Sequence, residues 1–147
     1  MRKYVSLILA MLMLLAFSPS LAQSNQVKQT SKPVWTFTYL KATEGNKENL
    51  KSYLEKNWFA MDSIAVKRNL LGAYELIENT DTSSASTWDF IVAVEYLNPA
   101  GYSAIAKEFE AIRANHVEVT IDGFNLRQLG KIVKSETVLR KKYLNRN

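Results

Sequence analysis

The stretch Trp88-Asp89-Phe90-Ile91-Val92-Ala93-Val94-Glu95-Tyr96 constrains the fold most. Its side chains alternate. Phe90, Val92, Val94 and Tyr96 point one way, and Ile91, Ala93 and Glu95 the other. β-branched and aromatic residues suit a pleated, packed surface, so the stretch is predicted to be a strand. Both faces are largely apolar, which places it in the middle of a sheet. Val34 to Leu40 behaves alike, with Trp35, Phe37 and Tyr39 on one face and Thr36, Thr38 and Leu40 on the other. Two such strands require helices or a second sheet to cover them.

The chain has 147 residues, enough for one domain. Its beginning reads as an address rather than as part of the fold. Arg2 and Lys3 precede an apolar run from Val5 to Phe17 that only Ser6 interrupts, and Ser20-Leu21-Ala22 then offers small residues to a signal peptidase. Residues 1–22 are therefore expected to be a signal peptide cleaved before Gln23. The run falls short of the ~20 residues of a spanning helix, so no lasting membrane insertion is expected. The expected location is periplasmic or secreted. The absence of cysteine means that the mature protein relies on its core alone.

Without Arg2 and Lys3 the net charge drops from +5 to +3. Seven basic residues lie from Arg127 onward against the single acid Glu136. A basic tail can attract anionic partners. No base-stacking aromatics interleave with it beyond Tyr143, so nucleic acid is not an expected partner.

Residues 23–33 are polar and aperiodic and read as a flexible leader; the domain is placed at 34–144. After the first strand, Gly45-Asn46 marks a turn, with Asn46 able to cap a helix. Leu50, Tyr53, Leu54, Trp58, Met61, Ile64, Ala65 and Arg68 recur at helical spacing. They predict one long amphipathic helix from Lys47 to about Leu71, bent near Trp58-Phe59 and closed by Gly72 in a left-handed conformation. Ala73 to Glu78 is a second strand, and a polar turn cluster joins it to the strand at 88–96. Asn98-Pro99 should open a second helix, with Pro99 at its first position and Tyr102, Ile105, Phe109, Ile112 and His116 on its buried face. Phe124 to Leu129 suits a helical turn closed by Gly130. The last strand is either 117–121 or 135–142, and Ser135 to Lys142 is preferred.

Strand, helix, strand, strand, helix, strand is the order of a split, ferredoxin-like βαββαβ α+β fold, an antiparallel sheet with two helices on one face. The first and third strands are central in it, matching the two stretches that are apolar on both faces. The opposite sheet face has no cover within a chain this size. A large exposed apolar face predicts a partner, most simply a second copy related by a two-fold axis.

The strand order, the first helix ending near Gly72 and the Trp88-to-Tyr96 strand resemble the dimeric α/β-barrel superfamily, and in particular its exported members of unknown function. The resemblance implies a homodimer and a cavity for a small apolar or aromatic ligand. It also implies two enzymatic alternatives: a cofactor-free monooxygenase, or a haem-binding or haem-degrading protein.

The candidate catalytic residues are Glu95, a carboxylate on the central strand able to serve as a base, and His116. As the only histidine, His116 is either an axial haem ligand or a histidine favoured at a helix C-terminus. Asp89 shares the face of Glu95, and either carboxylate also suits a simple ion pair. Trp35, Phe37, Tyr39 and Tyr96 are the candidate ligand-binding residues, although aromatics in a sheet more often belong to a core. Which face of the central strands lines the cavity stays open. One histidine and no cysteine leave no set for a structural zinc. Nucleotide-binding glycine loops and the Gly-x-Ser-x-Gly nucleophile motif are absent from the sequence.

Overall fold

The alternating aromatic and β-branched runs pair as antiparallel strands in the computed structural model, which describes residues 32–81 and 86–139. The expected signal peptide, nearly all of the leader and the end of the basic tail lie outside the described residues. Strand β1 (Val34–Ala42) is followed by α1 (Lys47–Tyr53), a π-turn (Leu54–Trp58), α2 (Phe59–Lys67), β2 (Leu71–Glu78) and β3 (Phe90–Tyr96). A 3₁₀ turn (Gly101–Ala104), α3 (Ala106–Ala114), α4 (Leu126–Leu129) and β4 (Gly130–Val138) complete the chain. The sheet order is β2-β3-β1-β4, every pairing antiparallel. The two strands with apolar residues on both faces are the central pair, as their patterns require.

Register decides which alternates meet the helices. Thr36 faces Val94 and Thr38 faces Val92 across the central pair. Phe90 and Val92 join Leu40, Leu50, Tyr53, Leu54, Ile121 and Leu129 in one core cluster. Ala65, Leu71, Ile105, Phe109 and Ile112 form a second, against which Val94 and Tyr96 pack. The helices therefore cover the Phe90–Val92–Val94–Tyr96 face. Trp35, Phe37, Tyr39, Ile91, Ala93 and Glu95 lie on the other, against which no described helix packs. On that open face Ile77 and Val138 are exposed and Phe37 and Tyr39 half-buried, while Trp35 is only 5% exposed.

The first helix is not one regular cylinder. Between Leu54 and Trp58 the hydrogen bonds step to i→i+5, so that the Phe59 N–H donates to the Leu54 carbonyl. The side-chain amide of Asn57 donates to the Tyr53 carbonyl at 3.0 Å. A π-turn holds one extra residue, and everything after it is rotated on the helix surface. Leu50, Tyr53, Leu54 and Asn57 are buried, and the next buried positions are Asp62 and Ala65. Ile64, expected on the apolar face, is consequently exposed.

Several local expectations need correction. The left-handed residue after α2 is Asn69, with φ 56°. Gly72 instead lies within β2, where the register slips between Leu71 and Ala73. A Cβ there would run into the Glu95 carboxylate, which sits against the bare backbone. Asn46 occupies the N-cap position of α1 without a side-chain cap bond; its amide donates to Thr43 Oγ1 instead, at 3.1 Å. Pro99 falls in a turn, where Asn98 Oδ1 accepts from the Ala100 N–H at 2.9 Å, and α3 begins only at Ala106.

The last strand is neither 117–121 nor 135–142 but Gly130–Val138. Residues 117–120 carry no strand, and Ile121 makes only an isolated bridge to Phe124. The strand can start at Gly130 because a Cβ there would lie 2.8 Å from both Leu50 Cδ2 and the Lys41 carbonyl oxygen. It ends at Val138, opposite Trp35, because β1 begins at Val34. No described helix is long and apolar enough to cross a membrane.

Candidate functional site

A chamber of about 320 Å³ lies between the sheet and the helices. Its floor is Thr36 and Thr38 of β1 and Val92, Val94 and Tyr96 of β3. Its roof is Trp58, Met61 and Asp62 from the π-turn and α2, with Tyr102, Phe109 and Arg113 closing the far side. The threonines explain the space. At Leu40 the same face of β1 fills its share of the core completely, whereas two short side chains further along leave it unfilled. Each threonine is tied to β4 across the strand pair, Thr36 to Thr137 at 3.0 Å and Thr38 to Ser135 at 3.2 Å. The volume falls in the lower part of the range of small-molecule pockets, and the lining is mainly apolar and aromatic with a few polar groups.

Asp62 is the chemically distinctive group. It is 6% exposed and borders the chamber. Among the described residues nothing donates a hydrogen bond to its carboxylate and no cation pairs with it. Burial pushes the carboxyl up from its ordinary 3.8 to about 7, as expected for an acid withdrawn from water without a compensating partner. Its neighbour Tyr96 is pushed up to about 12, first by burial and then by the charge of Asp62. Arg113 also lines the chamber, but its guanidinium pairs with Glu110 at 2.9 Å and lies over the Phe109 ring. Tyr102 also donates to Glu110.

Of the residues singled out from sequence, Tyr96 lines the chamber. Trp35, Phe37 and Tyr39 stand on the opposite sheet face. There Trp35 stacks on Phe37, and Tyr39 donates to Glu136 at 2.8 Å beneath the Lys134 ammonium. Glu95 lies on that face too, against Gly72. Asp89 is structural: it accepts from the Ala42 N–H at 2.8 Å and pairs with Lys41 at 3.1 Å.

His116 is not part of the chamber lining. Its Nε2 lies 2.9 Å from Asn57 Oδ1, which also accepts from the Val119 N–H. The Asn57 amide nitrogen donates to the Tyr53 and Val119 carbonyls, which fixes its orientation. The imidazole must therefore donate through Nε2. The Nε2 is thus engaged by Asn57, away from the chamber lining. Among the described residues no cluster of three or more His, Cys, Asp or Glu side chains could hold a metal ion.

Sequence reasoning missed Asp62, although a signal exists. Asp62 lies four residues after Trp58 and three before Ala65, inside the apolar stripe, where an unpaired carboxylate is out of place.

No family model and no curated protein matches the chain. Among solved structures it is similar to a protein provisionally named an antibiotic biosynthesis monooxygenase, from Chloroflexus aurantiacus J-10-fl. The identity is 11% and the TM-score 0.44, over 77% of this chain and 97% of that one. It is also similar to a dimeric protein of unknown function and ferredoxin-like fold from Bacteroides fragilis NCTC 9343. There the identity is 13% and the TM-score 0.42, over 74% of this chain and 95% of the other. The sheet order β2-β3-β1-β4, with the helices gathered on one face, makes this chain a ferredoxin-like α+β domain.

Proposed function

We propose that this protein binds a small, largely apolar or aromatic molecule in the chamber between its sheet and its helices. The observation that carries this reading is the chamber itself: about 320 Å³, walled by Trp58, Met61, Val94, Tyr96 and Phe109, with the one unpartnered carboxyl of Asp62 on its surface. Space for roughly ten waters, at about 30 Å³ each, beside so much apolar surface favours displacement by an apolar guest. An enzymatic role for the same chamber would use Asp62 as its base rather than Glu95 or His116, because only Asp62 borders the space. Its pKa of about 7 suits proton transfer near neutrality.

Titration calorimetry with indole and tryptophol tests the binding. Both should bind the wild type with affinities in the micromolar to millimolar range, and Val94→Trp, which fills the chamber, should weaken them by about tenfold or more. Heat of binding that survives Val94→Trp unchanged would place the ligand elsewhere.

The open sheet face supports a second component of the proposal, a homodimer. It carries Phe37, Ile77 and Val138 at or near the surface, and an isologous pair buries such a patch twice over. Light scattering should report twice the chain's mass, and Phe37→Glu should shift it toward a single chain. A wild-type protein that scatters as one chain contradicts this component. The expected export of the chain belongs to the same proposal, since a protein without cysteine folds alike in reducing and oxidising compartments.

A further inference from the structure

We propose that the chamber's ligand is a small organic cation, a protonated amine on an apolar or aromatic body, whose nitrogen pairs with the Asp62 carboxylate. The inference rests on the reading that the chamber is a binding site, and it adds the charge of what binds there. Apart from its two tyrosines the lining holds two ionisable side chains, Asp62 and Arg113, and only Asp62 is uncommitted. Arg113 pairs with Glu110 at 2.9 Å and lies over the Phe109 ring, so its charge already has a partner within the protein. Asp62 is 94% withdrawn from water, borders the space and has no protein partner among the described residues. A buried carboxylate is strongly destabilised until a cation or a set of donors reaches it. Four rings, those of Trp58, Tyr96, Tyr102 and Phe109, line the same space. Their negative faces attract an ammonium group, and the attraction grows when water is excluded. A neutral donor such as an alcohol gains only the hydrogen bond and not the charge.

The pH dependence follows from the groups that face Asp62. Tyr96 of β3 is pushed up to about 12, and Tyr102 of the 3₁₀ turn is raised as well, so both stay neutral near pH 7. Arg113 of α3 is paired with Glu110. Thr36 and Thr38 of β1 do not titrate. Asp62 is thus the group on this lining that changes charge near neutrality, its carboxyl pushed up to about 7 by burial. A cation binds the ionised form, so its affinity should rise about tenfold per pH unit below that point and level off above it.

The test uses tryptamine and tryptophol, which differ in an ammonium against a hydroxyl, titrated into the full chain by calorimetry at about pH 6 and about pH 8. Tryptamine should bind at least about tenfold tighter than tryptophol at the higher pH and lose about tenfold at the lower, while tryptophol stays level. In Asp62→Asn the preference and its pH dependence should vanish, with tryptophol still bound; Asp62→Glu should retain part of the preference. Equal or tighter binding of tryptophol by the wild type, or a preference that persists in Asp62→Asn, overturns the inference and leaves the binding chamber standing. Failure of both molecules to bind overturns the two together.

Discussion

Asn57→Ala should destabilise the fold by about 2–4 kcal/mol, read as a lowered urea midpoint with little change in slope. Asn57 is 2% exposed and makes four hydrogen bonds: to the Tyr53 and Val119 carbonyls, from the Val119 N–H, and with His116. It joins the π-turn to the segment after α3. Alanine removes every partner at once and leaves the Tyr53 and Val119 backbone groups without these bonds. The Val119 amide, now held by Asn57 Oδ1 at 2.8 Å, should exchange with solvent as fast as an open loop. A variant within about 0.5 kcal/mol of wild type would mean that the segment holds its place by packing alone.

Asp62→Asn should act in the opposite direction, and only in part of the pH range. An acid whose folded pKa lies above its unfolded value contributes its full stability below the unfolded value and loses it as pH rises through the folded one. For Asp62 that window runs from 3.8 to about 7. At about 1.4 kcal/mol per unit, the wild type gives up roughly 4 kcal/mol across it. Asparagine has the same shape and no charge to bury. Denaturation midpoints of the two proteins should lie close together at acid pH and separate by about 2–4 kcal/mol in favour of the variant by about pH 8. Parallel profiles would show that Asp62 is solvated or paired in the folded protein. A gain of this size at a chamber wall is the pattern expected where stability is given up for function.

The frame of this fold was legible because its signals are periodic. Alternation in Val34–Leu40 and Phe90–Tyr96 identified two central strands, and the helical stripe beginning at Leu50 identified their cover. What escaped has physical causes. β4 is an edge strand that is exposed after Gly130 along its whole length. Lys131, Lys134 and Glu136 interrupt its alternation, as protection against edge-to-edge pairing requires. Gly72 looked like a helix stop because a glycine after a helix usually is one; the contact that it permits with Glu95 is long-range and invisible in sequence. The π-turn cannot be read from spacing, since one inserted residue rotates the later stripe and exchanges Ile64 for Asp62 at the buried surface.

The site was the least legible part for the same reason. Both faces of β1 and β3 carry residues able to line a pocket, and alternation alone does not choose between them. The helices cover the face with Thr36 and Thr38. The two small side chains, unremarkable in sequence, are what leave the chamber open. Tyr96 lines the chamber because its alternates on β3 face the helices, whereas Trp35, Phe37 and Tyr39 have the opposite parity.

The central claim is that a ligand enters between the sheet and the helices, and a crystal structure with tryptophol bound tests it most directly. The account predicts an indole ring bounded by Met61, Val94 and Phe109, with its hydroxyl toward Asp62. A ring resting against Trp35, Phe37 and Tyr39 on the open face would contradict it and move the site to the other side of the sheet.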